Sequence, residues 1–154
     1  MAAKGSCVKT INRRGDIIEI AWKLTADASG DADENASADP EWFYPGAYGY
    51  VVGVAIDWTD ASNGYDVYVK DSNGIDILKG LGVGLINSAI HATNRFCPVN
   101  ASQDIGTVTN AQGSPITLFN DTLECIGDDM GSGLITTVKL YIKMFPEHGM
   151  HAVH

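Results

Sequence analysis

Residues 65–84, YDVYVKDSNGIDILKGLGVG, set the first firm constraint on the fold. Tyr65, Val67 and Val69 alternate with Asp66, Tyr68 and Lys70. A two-residue period sends successive side chains to opposite faces, which is the pattern of a strand buried on one side. Asp71, Ser72, Asn73 and Gly74 follow. Asparagine and glycine accept the positive φ of a tight turn at little cost, so the chain is expected to reverse there. Ile75, Ile77 and Leu78 then resume an apolar strand and complete a hairpin.

The same period recurs along the chain. Residues 17–24 place Ile18, Ile20, Trp22 and Leu24 on one face. Residues 48–58 predict a long strand with Tyr48, Tyr50, Val52, Val54, Ile56 and Trp58 together, opposed by Gly49, Val51, Gly53 and Ala55, which are small enough for another backbone to approach. Residues 116–126 and 134–144 predict the last two strands. The final one is the most regular, with Leu134, Thr136, Val138, Leu140, Ile142 and Met144 on one face. Residues 26–40 hold almost nothing apolar and are expected to form an exposed, mobile loop, and residues 60–64 a polar one. Leu81, Leu85, Ile86, Ala89 and Ile90 approximate helical spacing, so a short helical turn is expected near residues 85–91, against the influence of Gly80, Gly82 and Gly84. Many strands, frequent turn signals and no long helix predict an all-β chain, an antiparallel β-sandwich or β-barrel with long loops. Residues 16–144 are expected as one β domain, with an extended N-terminal arm over 1–15 and a C-terminal tail over 145–154.

At 154 residues the chain can bury a core without disulfides or metal. Its net charge of −9 is unevenly spread: five bases and two acids lie in residues 1–24, and nine acids with no base in 25–66. An acidic body repels phosphate backbones, so no nucleic-acid partner is expected, while Arg13 and Arg14 in the basic arm suit an acidic patch on a neighbouring subunit. Cys7, Cys97 and Cys125 fit neither a zinc spacing nor a disulfide framework and read as reduced thiols, Cys97 and Cys125 in or near the core. The N-terminus MAAKGSC lacks the apolar stretch of a signal peptide, and no run reaches bilayer length, so no membrane partner is expected.

Several residue groups carry potential chemistry. His148, His151 and His154 recur every third residue and are weak metal candidates; a terminal tail has no surrounding shell to fix ligand geometry, so no metal is expected there. Asp27, Asp31, Asp33 and Glu34 loosely suggest a calcium loop, but Gly30 precedes the acids it should follow and no closing Glu is present, so a solvated acidic loop is expected. Asp128 and Asp129 read as a polar turn. Trp42, Phe43, Tyr44, Tyr48 and Tyr50 form an aromatic cluster suited to a subunit interface or, in a second reading, to stacking on sugars. His91 has no acid or nucleophile nearby in sequence, and Gly80, Gly82 and Gly84 lack the strand-to-helix frame of a dinucleotide loop. No catalytic residues and no cofactor are expected.

The hairpin strand, its Asp-x-x-Gly turn, the Asp-Ile-Leu at 76–78 and the Gly-x-Gly run resemble a set of small virion proteins of tailed bacteriophages. The Trp-x-x-Thr-Ala-Asp-Ala-Ser-Gly segment at 22–30 and the Thr-x-x-Leu-Tyr-Ile segment at 137–142 occur in the same order in those chains. The resemblance implies assembly rather than catalysis. The expectation is a capsid decoration, or cement, protein that forms a homotrimer, binds the major capsid protein and reaches the virion after assembly in the host cytoplasm. The alternative is a carbohydrate-binding or receptor-contacting module of a head or tail fibre.

Overall fold

The computed structural model of the chain describes residues 3–35, 39–58, 64–85, 93–100 and 114–146. The strands are β1 (Ser6–Arg14), β2 (Ile17–Thr25), β3 (Phe43–Trp58), β4 (Asp66–Lys70), β5 (Thr93–Phe96), β6 (Val99–Asn100), β7 (Ser114–Pro115), β8 (Thr117–Asp128) and β9 (Ile135–Lys143). Every pairing between them is antiparallel. Seven strands make one sheet in the order β1-β2-β9-β3-β8-β4, with β5 also on β3, while β6 and β7 form a separate ribbon. The all-β antiparallel architecture expected from the alternation is the one found, with no α-helix among the described residues.

β3 turns the sheet into two packed layers. Its first half pairs with β8 from Phe43 to Tyr50, and its second half pairs with β9 from Tyr50 to Trp58. Bulges around Ala47 and between Val51 and Gly53 bend it between these roles. The core between the layers contains Trp22, Leu24, Trp42, Val69, Leu123 and Leu140, all fully buried. Leu140 and its neighbours Val138 and Ile142 occupy the inner face that the last alternation predicts.

The bulge at Val51/Gly53 corrects the face expected for residues 48–58. Val54 and Ile56 are buried, but Tyr48, Tyr50 and Val52 are exposed, because one extra residue reverses the alternation. On the small face, Gly49 does admit another backbone: a Cβ there would lie 2.2 Å from the carbonyl oxygen of Lys143.

The hairpin is half as expected. β4 buries Val67 and Val69, as the residue before it buries Tyr65, and Asp71 closes the turn by accepting from the amides of Asn73 and Ile75 at 2.9 and 3.0 Å. Its second arm is not a strand. The Asp76 carboxylate takes the amides of Val69, Leu78 and Gly80 at 3.2, 3.1 and 3.0 Å, which coils the chain into successive turns. These turns still cover the outer edge of β4, through Ile77 N to Val69 O at 2.8 Å and Val67 N to Gly82 O at 2.7 Å.

Two other expectations are corrected. Residues 6–14 are not a separate arm but β1, an edge strand paired with β2 along its whole length. Only Cys7 of β1 is buried, so its sequence carries no alternation to betray it. The described part of the 26–40 loop is pinned rather than mobile. Lys4 and Asp33 exchange backbone hydrogen bonds of 2.7 and 2.9 Å, and Ala32 and Gly127 exchange two of 2.9 and 2.8 Å. This short segment ties the lead-in of β1 to the end of β8 by main-chain bonds, which need no apolar side chains. Of the cysteines, Cys125 is buried as expected, but Cys97 is exposed and Cys7 buried. Burial pushes the Cys7 thiol up to about 12 and the Cys125 thiol well above its ordinary value. The helical turn near 85–91, His91, most of the 60–64 loop and the histidines of the tail lie outside the described residues.

Candidate functional site

The inner face of β1 carries Cys7, Lys9, Ile11 and Arg13, opposite Leu24, Trp22, Ile20 and Ile18 of β2. Cys7 is buried, its thiol 3.4 Å from the Glu41 carbonyl, and Lys9 reaches across to the 3₁₀ turn and the start of β3, donating from Nζ to the carbonyls of Pro40, at 3.2 Å, and Phe43. Beyond Lys9 the cover by described residues ends. Ile11 is 45% exposed although it points the same way as the core, and Arg13 is exposed at the end of the face.

The open end is a cleft of about 540 Å3. Its floor is Ile18 and Ile142, both buried, which with Arg13 and Val51 form one row across β1, β2, β9 and β3. The β1–β2 turn supplies Arg13, Gly15 and Asp16, the first half of β3 supplies Tyr44, Gly46 and Tyr48, and Met144 and Phe145 close the end after β9. The Met144 amide donates to the Asp16 carbonyl at 2.7 Å and so extends the β2–β9 ladder to the cleft wall. Asp16 meets Lys143 at 3.9 Å, a loose pair with both side chains more than half exposed. Arg13 has no ion pair among the described residues.

A group of exposed rings stands beside the cleft. Tyr48 is 50%, Tyr50 40% and Phe119 64% exposed. Phe145 joins them edge to face, with ring centres 5.3 Å from Tyr48 and 4.9 Å from Tyr50, and lies roughly parallel to Phe119 at 5.6 Å. Tyr48 also meets Phe119 edge to face at 5.9 Å, since the two are cross-strand partners.

The structure divides the expected interface residues. Arg13, Tyr44 and Tyr48 line the cleft and Tyr50 stands next to it. Trp42 is a correction: its ring is fully buried in the core, because the 3₁₀ turn Pro40–Trp42 directs it inward. Phe43 and Tyr44 are partly buried against that core. Arg14 alternates to the face opposite Arg13 and does not line the cleft. Phe119 and Phe145 were not foreseen. The signal was available for Phe119, which follows inward-facing Leu118 on a strand and must therefore point out.

A second group is acidic. The carboxylates of Asp33, Glu34 and Glu124 approach within 4.8 Å of one another, as do those of Asp66, Asp128 and Asp129. Burial, then the charges of Glu34 and Asp33, push the Glu124 carboxyl up to about 6, opposed by Lys70. Asp31 and Asp128 share a hydrogen bond that lowers the former and raises the latter, the arrangement of two carboxyls holding one proton. Asp27 serves the backbone, accepting from Ser29 N at 2.8 Å and Asp31 N at 3.1 Å. These acids are distributed over the seam between β1 and β8, and burial, helped by the charges of Asp66, Asp128 and Asp129, raises the Tyr68 hydroxyl above its ordinary value.

Comparison with protein-family models, with curated proteins and with solved structures gives no match.

Proposed function

We propose that this chain is a non-enzymatic structural protein of a tailed-phage virion, a capsid decoration protein that binds the assembled head as a homotrimer and stabilises it. The observation that carries this reading is the ring cluster of Tyr48, Tyr50, Phe119 and Phe145 at one end of the sandwich. Contiguous exposed aromatic surface is costly to leave in water and is concentrated at protein interfaces. The motifs at 22–30, 65–84 and 137–142 support the virion assignment. Attachment to a symmetric shell at several equivalent points gives tight binding without strong single contacts.

Tyr48 and Tyr50 also keep alive a receptor-contacting, sugar-binding role, because half-exposed tyrosines offer a ring and a hydroxyl. Their geometry favours a protein partner. Both rings meet Phe145 at interplanar angles above 80°, which makes a ridged cluster rather than the open flat platform on which a pyranose stacks.

A protein that binds the assembled shell and not its free subunits must raise the temperature at which the shell fails. Particles lacking this chain should therefore release their genome at lower temperature yet adsorb to host cells normally. Normal shell stability with impaired adsorption would reverse the assignment in favour of the receptor role.

A further inference from the structure

We propose that the open edge of β1 and the adjoining cleft form a socket for an extended peptide from a partner protein, with an apolar-x-acid-x-apolar pattern. This goes beyond the virion reading, since it fixes the chemistry of the bound segment whatever assembly the chain serves.

The register of β1 on β2 fixes which of its main-chain groups face outward. The Lys9 amide points away from β2 and donates to the Glu41 carboxylate at 3.4 Å. In an antiparallel pair the outward amides fall on alternate residues, so the main-chain groups of Ile11 and Arg13 also face the open edge. Neither bonds a described residue there. Glu41 blocks the edge at Lys9, so the available length runs from Ile11 to the turn at Gly15. An incoming strand can satisfy these groups by adding to the sheet.

Side-chain alternation then sets the sequence. The residue opposite Arg13 shares its face and would extend the row that runs through Ile18, Ile142 and Val51. A carboxylate there pairs with a guanidinium that has no other anion among the described residues. Two residues in one direction, an apolar side chain would cover Ile11, which is 45% exposed on the core-facing side. Two residues in the other direction, the next inward side chain lies level with Gly15, at the mouth of the cleft. The floor there is Ile18 and Ile142, and the walls are Tyr48, Met144 and Phe145, so this side chain should be large and apolar. Charged residues such as Arg13 and Lys9 commonly protect edge strands from pairing, and the experiment has to separate that role from recognition.

The full chain would be titrated with two blocked heptapeptides, one with a central phenylalanine-threonine-glutamate-threonine-leucine and one with lysine for the glutamate. Fluorescence anisotropy gives affinity, and amide NMR gives location. Saturable binding of the acidic peptide is expected, with shifts confined to Ile11, Arg13, Gly15 and the cleft floor. Arg13→Glu should weaken the acidic peptide at least tenfold and strengthen the lysine peptide. Ile11→Pro removes an outward amide without touching the β2 ladder, so it should keep the fold and abolish binding. No saturable binding, or equal affinity for both peptides, would overturn the proposal and leave Arg13 a protective charge. Binding that survives Ile11→Pro would rule out strand addition. A concentration-dependent dimer that excludes the peptide and dissolves with Ile11→Pro would assign the edge to a second copy of this chain instead.

Discussion

Gly82 lies so close to Val67 that a Cβ built on it would meet the Val67 carbonyl oxygen at 2.2 Å, while its own carbonyl accepts the Val67 amide at 2.7 Å. Its φ is not in the left-handed region, so the requirement for glycine is one of space alone. This contact lets the turns after Asp76 seal the outer edge of β4, which would otherwise offer unpaired main-chain groups to other chains. Gly82→Ala is therefore expected to destabilise the fold by about 1–3 kcal/mol, the usual cost of forcing extra atoms into a packed site. Urea denaturation measures the loss, and light scattering should show faster aggregation. An unchanged midpoint would mean that the segment is free to move off the edge.

Leu140 sits at the centre of the core, fully buried between Val138 and Ile142 on the inner face of β9. Truncation to alanine removes transfer free energy and leaves a cavity, so Leu140→Ala should cost about 2–5 kcal/mol. The neighbouring Lys139→Ala, on the opposite face, should cost under about 1 kcal/mol, since its pair with Asp57 at 3.4 Å is a third exposed on each side. Equal costs for the two variants would put the buried face on the wrong side of β9.

What the chain reveals before folding follows from how tightly burial is tied to a two-residue period. Val138, Leu140 and Ile142, like Tyr65, Val67 and Val69, are covered along their whole strand, and their pattern is plain. β1 is invisible because, among the described residues, the layer that covers Cys7 and meets Lys9 stops short of Ile11 and Arg13, and this same overhang makes the cleft. β3 misleads because its bulge at Val51/Gly53 reverses the faces midway, turning Tyr48 and Tyr50 outward. The cleft itself draws Arg13, Ile18, Tyr48 and Phe145 from distant parts of the sequence, and only the pairing of β2, β9 and β3 brings them together. The aromatic residues were legible as a group, but their division between core Trp42 and surface Tyr48 depends on the 3₁₀ turn and the bulges.

The acidic seam gives a pH dependence with a definite sign. Glu124 holds its proton up to about 6 in the fold, above the ordinary glutamate value near 4.3 that it regains when unfolded. The native state thus binds the proton more tightly, and its contribution is present at low pH and lost as pH rises through about 6. Asp128, raised by its hydrogen bond with Asp31, acts in the same direction, and Asp31, lowered by that bond, acts against it. The melting temperature is expected to rise between pH 7.5 and 5. Glu124→Gln should be the more stable protein at pH 7.5 and show a shallower slope. A Gln variant with the slope of the native chain would place the titration elsewhere.

Tyr48 and Phe119 are at least half exposed, so replacing both with serine opens no core cavity but removes three ring pairs at the surface, and it should lower monomer stability by about 1–2 kcal/mol. The same rings are the exposed aromatic surface that a subunit contact would bury, and closed symmetric oligomers are the common outcome when one patch serves every copy. Sedimentation equilibrium at about 10–50 μM is expected to show a trimer for the native chain and a monomer for the Tyr48→Ser, Phe119→Ser double variant. On the proposed decoration role, the double variant should also fail to occupy shells, because a monomer would lack the multivalent attachment of a trimer. A monomeric native chain would transfer the cluster's role from self-association to direct contact with the shell, and a double variant that still formed trimers would show that the cluster is not the subunit interface.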